Sequence, residues 1–102
     1  MQFLIIAHDG EDDAALDRRL AARTDHLALV SESVKDGRQL MGAAILDDAG
    51  KMRGSVMLVN YPSRKEVDEW LKNEPYVIGN VWKKIDVIPC QLAPSFTHLL
   101  KN

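Results

Sequence analysis

One cysteine, Cys90, is all the thiol chemistry this 102-residue sequence holds. A lone thiol excludes an internal disulfide, an iron–sulfur cluster and a thiolate zinc site within one chain. Such usage suits a reducing, cytoplasmic setting. An excess of positive charge is missing too: 13 Lys and Arg stand against 15 Asp and Glu, for a formal net charge of −2. No basic field is on offer to neutralise phosphates or to draw the chain to an anionic membrane, so nucleic acid and membrane partners are not expected. Long hydrophobic runs are absent as well. The apolar start, Met1 to Asp9, is far too short to span a bilayer and has no basic leader, which reads as a mature, soluble chain. Repeats and low-complexity stretches are likewise lacking. What is present, 46% hydrophobic and 27% charged residues, fits one globular domain over residues 1–102 with a modest but sufficient core.

The chain changes period as it proceeds. Phe3 to Ala7 is a short apolar run closed by His8-Asp9-Gly10, a buried strand ending in a turn. Leu16, Leu20, Leu27, Val30 and Val34 then recur at helical spacing, behind the acidic Glu11-Asp12-Asp13 and ahead of Gly37 at a C-cap position. This predicts one long amphipathic helix. Leu40 to Leu46 and Arg53 to Tyr61 are β-like runs joined through Asp47 to Lys51, a loop that suits an antiparallel hairpin with glycine at positive φ. After Pro62, the serine-to-glutamate spacing of Ser63 to Glu66 is that of a capping box, with Val67, Trp70 and Leu71 as the apolar stripe of a second helix. Val81, Ile85, Val87 and Ile88 mark a last strand near Trp82 and before Pro89, and a tail follows from Pro94.

The order β-α-β-β-α-β folds, with right-handed crossovers, into a ferredoxin-like α+β domain: a four-stranded antiparallel sheet with both helices on one face. The strands are nevertheless apolar on both faces. Leu4 and Ile6 alternate with Phe3 and Ile5, and Val56 and Leu58 with Met57 and Val59. Two helices shield only one side, so the bare side is expected to be buried against a second copy, sheet facing sheet, in a homodimer. The same order admits an RNA-recognition module, but such a sheet stacks bases on exposed aromatics; the third strand offers Ser55, Met57 and Val59 instead.

A small set of residues can carry chemistry. His26 lies on a helical stripe with Arg19, Arg23 and Val30, at the margin of the apolar face. There it is either an ordinary boundary histidine or a partly desolvated imidazole held neutral as a base beside cationic side chains. Glu74-Pro75-Tyr76-Val77 sits where the second helix has ended and the chain turns toward the last strand. A carboxylate brought from Glu74 to His26 would fix the imidazole's tautomer and make a minimal acid/base unit. Equally, Glu74 can be a solvated turn residue and Tyr76 a core aromatic. Gly54-Ser55 opens a strand where glycine permits a close approach and serine supplies a hydrogen-bonding group, without the surroundings of a nucleophilic serine. His8 ends the first strand and can border the same cleft. His8, Asp9, His26 and His98 have no metal-ligand spacing, so no metal or cofactor is assigned. Cys90 reads as a small buried hydrophobe.

Taken together, Arg23-x-x-His26-Leu27, Gly42, Gly54-Ser55 and Glu74-Pro75-Tyr76-Val77 resemble, in order and spacing, the YciI-like (YCII-related) family over almost the whole chain. The resemblance implies a dimeric α+β barrel of ferredoxin-like subunits and a histidine–aspartate pair proposed as the active site; a dehydrochlorinase of chlorinated aromatic ring breakdown belongs among such proteins. It implies a small lyase or isomerase using His26 and Glu74, with Ser55, Tyr76 and Arg23 as substrate-binding residues and His8 as a further candidate. A non-catalytic dimeric module that binds a small metabolite or protein is the alternative. Two departures stand out. The family's aspartate is Glu74 here, one methylene longer, and a glycine usual shortly afterward is replaced by Asn80, with Gly79 adjacent.

Overall fold

The first strand, β1 (Gln2–Asp9), sorts its residues by parity: Phe3, Ile5, Ala7 and Asp9 are buried, whereas the residues between them are half-buried. That alternation is the signature of a strand with one face pressed against helices and the other uncovered within the subunit. The computed structural model describes residues 1–100. After β1 come α1 (Ala15–Lys35), β2 (Gln39–Leu46), β3 (Met52–Asn60), α2 (Arg64–Lys72), a one-turn α3 (Pro75–Ile78), β4 (Trp82–Cys90) and an exposed 3₁₀ turn over Pro94–Leu100. The last two positions of the expected tail lie outside the described residues. The strands form one antiparallel sheet in the order β2-β3-β1-β4, with the helices on one face. The ferredoxin-like α+β topology expected from the sequence is therefore present.

Register carries the parity across the sheet. Phe3 pairs with Val59, Ile5 with Met57 and Ala7 with Ser55, so these share the helix-covered face. Leu4, Ile6, Val56 and Leu58 share the other, joined by Met41, Ala43 and Ile45 of β2 and by Ile88 of β4. The core sits under the helices, where Phe3, Ile5, Met57, Val59, Val67, Tyr76 and Val81 are at most 2% exposed. Each large side chain of this kind stabilises the fold by about 1.5–3 kcal/mol through burial.

Turn chemistry follows the sequence closely. Gly37 (φ 75°) ends α1, its N–H donating to Val34 while the Arg38 N–H reaches the Ser33 carbonyl, the paired bonds of a Schellman cap. In the β2–β3 hairpin Gly50 takes φ 81°, and the Asp47 carboxylate accepts from the Ala49 and Lys51 N–H groups. Other expectations need correction. β1 runs on through His8 to Asp9, with a bulge between the two, rather than turning at His8. Ser63 is the N-cap of α2 but makes no side-chain capping bond, so the capping box is not formed. Cys90 is half-buried at the end of β4 rather than sealed in the core.

The largest correction concerns α1. The leucine and valine stripe was the face expected to be buried, yet Leu20, Leu27 and Val34 are exposed. Ala15, Arg19, His26 and Ser33 are buried instead, with Ala22 packed against the core. The reason is steric: Tyr76 and Trp82, arriving from α3 and β4, already fill the space beneath the helix. The helix consequently turns small residues and two long polar ones toward them.

Candidate active site

A pre-proline position sets the site's first coordinate. Glu74 is extended (φ −69°, ψ 125°), as the residue before Pro75 prefers, and becomes the N-cap of α3 with proline in the first turn. The expected turn is thus a short helix, and its cap is the carboxylate. Glu74 Oε1 accepts from the Tyr76 backbone N–H at 3.1 Å and lies 2.7 Å from His26 Nδ1. Aspartate and serine are the commoner caps; the longer side chain allows one oxygen to cap the helix and still reach across to α1. The extra methylene is therefore accommodated. Glu74 is fully buried and His26 is 8% exposed.

With an acceptor-only carboxylate at Nδ1, that nitrogen carries the hydrogen and Nε2 keeps its lone pair. Among the described residues Nε2 has no hydrogen-bond partner, and it is not one of the sealed polar atoms, unlike Glu74 Oε2. The imidazole lies flat on the Tyr76 ring, 3.9 Å between centroids and 15° between planes, and meets the Trp82 indole edge-on at 6.1 Å. Ring orientation is thus fixed by one hydrogen bond and two aromatic walls. Burial pushes the Tyr76 phenol above its ordinary value, although the Arg19 and Arg23 charges act in the opposite direction. A phenol so held stays protonated and serves as a donor.

A second network supports the first. Arg19 Nη1 donates to both Asp9 oxygens at 3.0 and 3.1 Å, and Nη2 donates to Ser55 Oγ at 2.9 Å. Trp82 Nε1 donates to the same Oγ at 3.3 Å. Both lone pairs of Ser55 are thereby occupied, so its hydroxyl can offer only its proton and is unsuited to act as a nucleophile. The Arg19 guanidinium also sits over the Tyr76 ring, 4.7 Å from its centroid. Gly54, next to Ser55, has its place because a Cβ would lie 2.5 Å from the Ala7 carbonyl oxygen of β1.

These groups open onto a cleft of about 200 Å³ between α1 and the β2–β3 side of the sheet. Leu27, Val30 and Val34 form one wall; the other is the edge strand β2 over Met41 to Ala44, where Gly42 and Ala44 have the helix-side parity, together with Met57. Arg19, Arg23, His26, Ser55 and Tyr76 line it, and no carboxylate among the described residues does. Four of the sequence candidates therefore converge: His26, Glu74, Ser55 and Tyr76. Arg23 joins them at the exposed edge of the same cleft. His8 does not: it pairs with Gly54 and Lys84 on the opposite sheet face and borders a separate depression beside Asp13, Asp47 and Lys51. Strand parity explains the correction, since Ala7 and Asp9 point toward the helices and the residue between them cannot. Sequence reasoning missed Asp9 and Trp82, and noted Arg19 only as a neighbour of His26 on its stripe. A usable signal was there, because Arg19 and His26 are seven residues apart and must share a face. No group of three or more His, Cys, Asp or Glu side chains among the described residues is arranged to hold a metal ion. No described helix is long and apolar enough to cross a membrane.

The fold and the site together define a class: a ferredoxin-like α+β subunit with a buried imidazole–carboxylate pair beneath a small cleft. The YCII-related domain matches residues 1–91, and the chain belongs to that family. Among curated proteins it is 30% identical over 95 residues to Protein YciI of Escherichia coli O6:H1, covering 87% of this chain and 95% of the relative. Protein YciI of Shigella flexneri matches to the same extent. Among solved structures, a 5-chloro-2-hydroxyhydroquinone dehydrochlorinase from Burkholderia phenoliruptrix, in complex with 2,5-dihydroxybenzoquinone, superposes with a TM-score of 0.78 at 24% identity. The match covers 93% of this chain and 98% of that one and establishes the shared fold.

Proposed function

We propose that the protein is a small cytoplasmic enzyme, a lyase or isomerase, in which His26 moves a proton on a small cyclic or aromatic substrate. The observation that carries this reading is the 2.7 Å contact of His26 Nδ1 with buried Glu74, which leaves Nε2 as the base facing the cleft. Glu74 holds the tautomer and stabilises the imidazolium once Nε2 has taken a proton. In an elimination, Nε2 removes a proton from the substrate, the electron pair forms the new double bond, and the leaving group departs with its own pair. In an isomerisation the same proton returns to a different carbon. Tyr76 and Ser55 supply hydroxyl donors for an oxygen that gains negative charge on the way. The cleft's size supports a single ring, since an apolar cavity of about 150 Å³ accepts benzene. The lone, half-buried Cys90 supports the cytoplasmic setting.

The working form is a homodimer joined through the uncovered sheet face, where Leu4, Ile6, Val56, Leu58 and Ile88 have no helix over them. A stable interface of that kind buries roughly 1,200 Å² or more in total.

The test is a screen of cyclic and halogenated phenolic compounds by ligand-induced amide chemical-shift changes, followed by turnover of any hit. Replacing the base, His26→Ala, lowers the rate about 10²–10⁴-fold while the fold persists. Binding with no turnover, or turnover indifferent to His26, would favour a non-catalytic small-molecule-binding module instead.

A further inference from the structure

The two arginines of the cleft differ in what they are free to do. Arg19 is spent within the protein: its side chain is 4% exposed, Nη1 is tied to Asp9 and Nη2 to Ser55. Arg23, one helical turn on, makes no hydrogen bond or ion pair among the described residues and is exposed, yet it lines the same cleft as His26 and Tyr76. An unpaired guanidinium at a cleft edge is unremarkable if carboxylates stand nearby to answer it. Here none among the described residues lines the cleft, although acidic residues outnumber basic ones in the chain. Asp9 is engaged by Arg19, and Glu74 lies sealed behind the imidazole. The remaining polar groups facing the space include the Ser55 hydroxyl, held as a donor by its two accepted bonds, and the phenol of Tyr76. Gln39, whose amide nitrogen donates to the Met41 carbonyl and whose oxygen is sealed from solvent, and walls of leucine, valine, methionine, alanine and glycine complete it. Donors and positive charge on one side and apolar surface on the other describe the complement of a ring that carries an anionic oxygen.

We propose that the cleft selects anionic ring compounds, phenolates, enolates or ring carboxylates, with Arg23 meeting the charged oxygen and Arg19 acting as a positioning residue that orients Ser55 and Tyr76. This deepens the acid/base reading and rests on it for what happens after binding, but the selectivity itself is an equilibrium property. A ligand oxygen already ionised and held by Arg23 presents the neighbouring C–H or O–H to Nε2. A free planar fork suits such an oxygen better than a lysine's point charge would.

The experiment compares two probes of nearly equal shape: 2,5-dihydroxy-1,4-benzoquinone, an anion at neutral pH, and its neutral dimethyl ether. Both are titrated into the full-length protein at low ionic strength and followed by amide chemical shifts. The wild type prefers the anion by roughly tenfold or more, the range of a hydrogen bond to a charged group. R23Q loses most of that preference while binding the neutral probe as before, and R23K retains part of it. Raising the salt narrows the preference in the wild type and leaves R23Q unaffected. Equal affinities in the wild type, no binding of the anion, or a preference that survives R23Q overturns the proposal. His26→Ala separates the two claims, since it keeps the anion preference if Arg23 is the anchor. A protein that selects anions through Arg23 and turns none of them over refutes the acid/base reading alone.

Discussion

The two faces of the sheet invert the usual assignment of polarity. The face under the helices, where a core is built, holds a buried layer of Asp9, Arg19, His26, Ser55 and Glu74 among its aromatics and aliphatics. The face with no helix over it is lined by Leu4, Ile6, Met41, Ala43, Ile45, Val56 and Leu58. Buried polar groups cost free energy unless each is paired, whereas an uncovered apolar face leaves burial energy unused. Under the proposed function, the first face gives up stability for chemistry, and the second keeps stability in reserve for the proposed association. A sheet that served packing alone would arrange neither in this way.

The sharpest way to break that comparison is to disrupt the buried pair. Arg19→Met strands the Asp9 carboxylate in a site where both side chains are at most 4% exposed. A loss of roughly 3–5 kcal/mol in urea unfolding is expected, with much of it recovered when Asp9→Leu is added. A loss below about 1 kcal/mol would mean that water reaches Asp9 and that the polar layer is not a true interior.

On the other face, Val56→Lys puts a charge at the centre of the apolar surface, opposite Ile6 and Ala43. If the proposed dimer forms, the wild type is expected to sediment as a dimer at micromolar concentration, and the variant to dissociate at least tenfold more readily while its circular dichroism is unchanged. A monomeric wild type would remove the association role from this face.

The smallest effect concerns alkaline pH. Both tyrosines of the chain lie in the core on the helix side. Burial pushes Tyr61 up to about 12 and Tyr76 above its ordinary value of 10.0. Between those values the folded chain binds more protons than the unfolded one, so stability is fully present below pH 10 and declines as pH rises toward 12. Tyrosinate absorbance should therefore appear together with loss of structure. Ionisation at the ordinary value with the fold intact would show that these phenols are wet.

Much of this arrangement was legible in the residues. Gly37 and Gly50 marked turns that do require positive φ, and the strand and helix order led directly to the sheet. His26 and Glu74 were recognised through a resemblance of short motifs, and their separation of 48 residues explains why periodicity alone left them ambiguous. The misplaced face of α1 has a physical source: what lies beneath a helix is decided by side chains distant in sequence, here Tyr76 and Trp82. Leucines ordinarily win such a contest, but large aromatics filled the space first. His8 was excluded by strand parity, a local rule that needed only the identity of one buried neighbour. Asn80 is a further case. It adopts φ 60°, a conformation that asparagine tolerates better than most residues, so its replacement of a glycine preserves the turn into β4.

The stack of imidazole on phenol has a spectroscopic consequence. Of the three histidines, His26 is held 3.9 Å above an aromatic face at 15°, with an indole edge beside it, whereas His8 and His98 make no ring contact among the described residues. The ring current of Tyr76 shields protons above its plane, so the carbon-bound protons of His26 resonate apart from those of the other two. The proposed base therefore carries its own label, through which its charge state and the arrival of a ring in the cleft can be followed by proton magnetic resonance without any added probe.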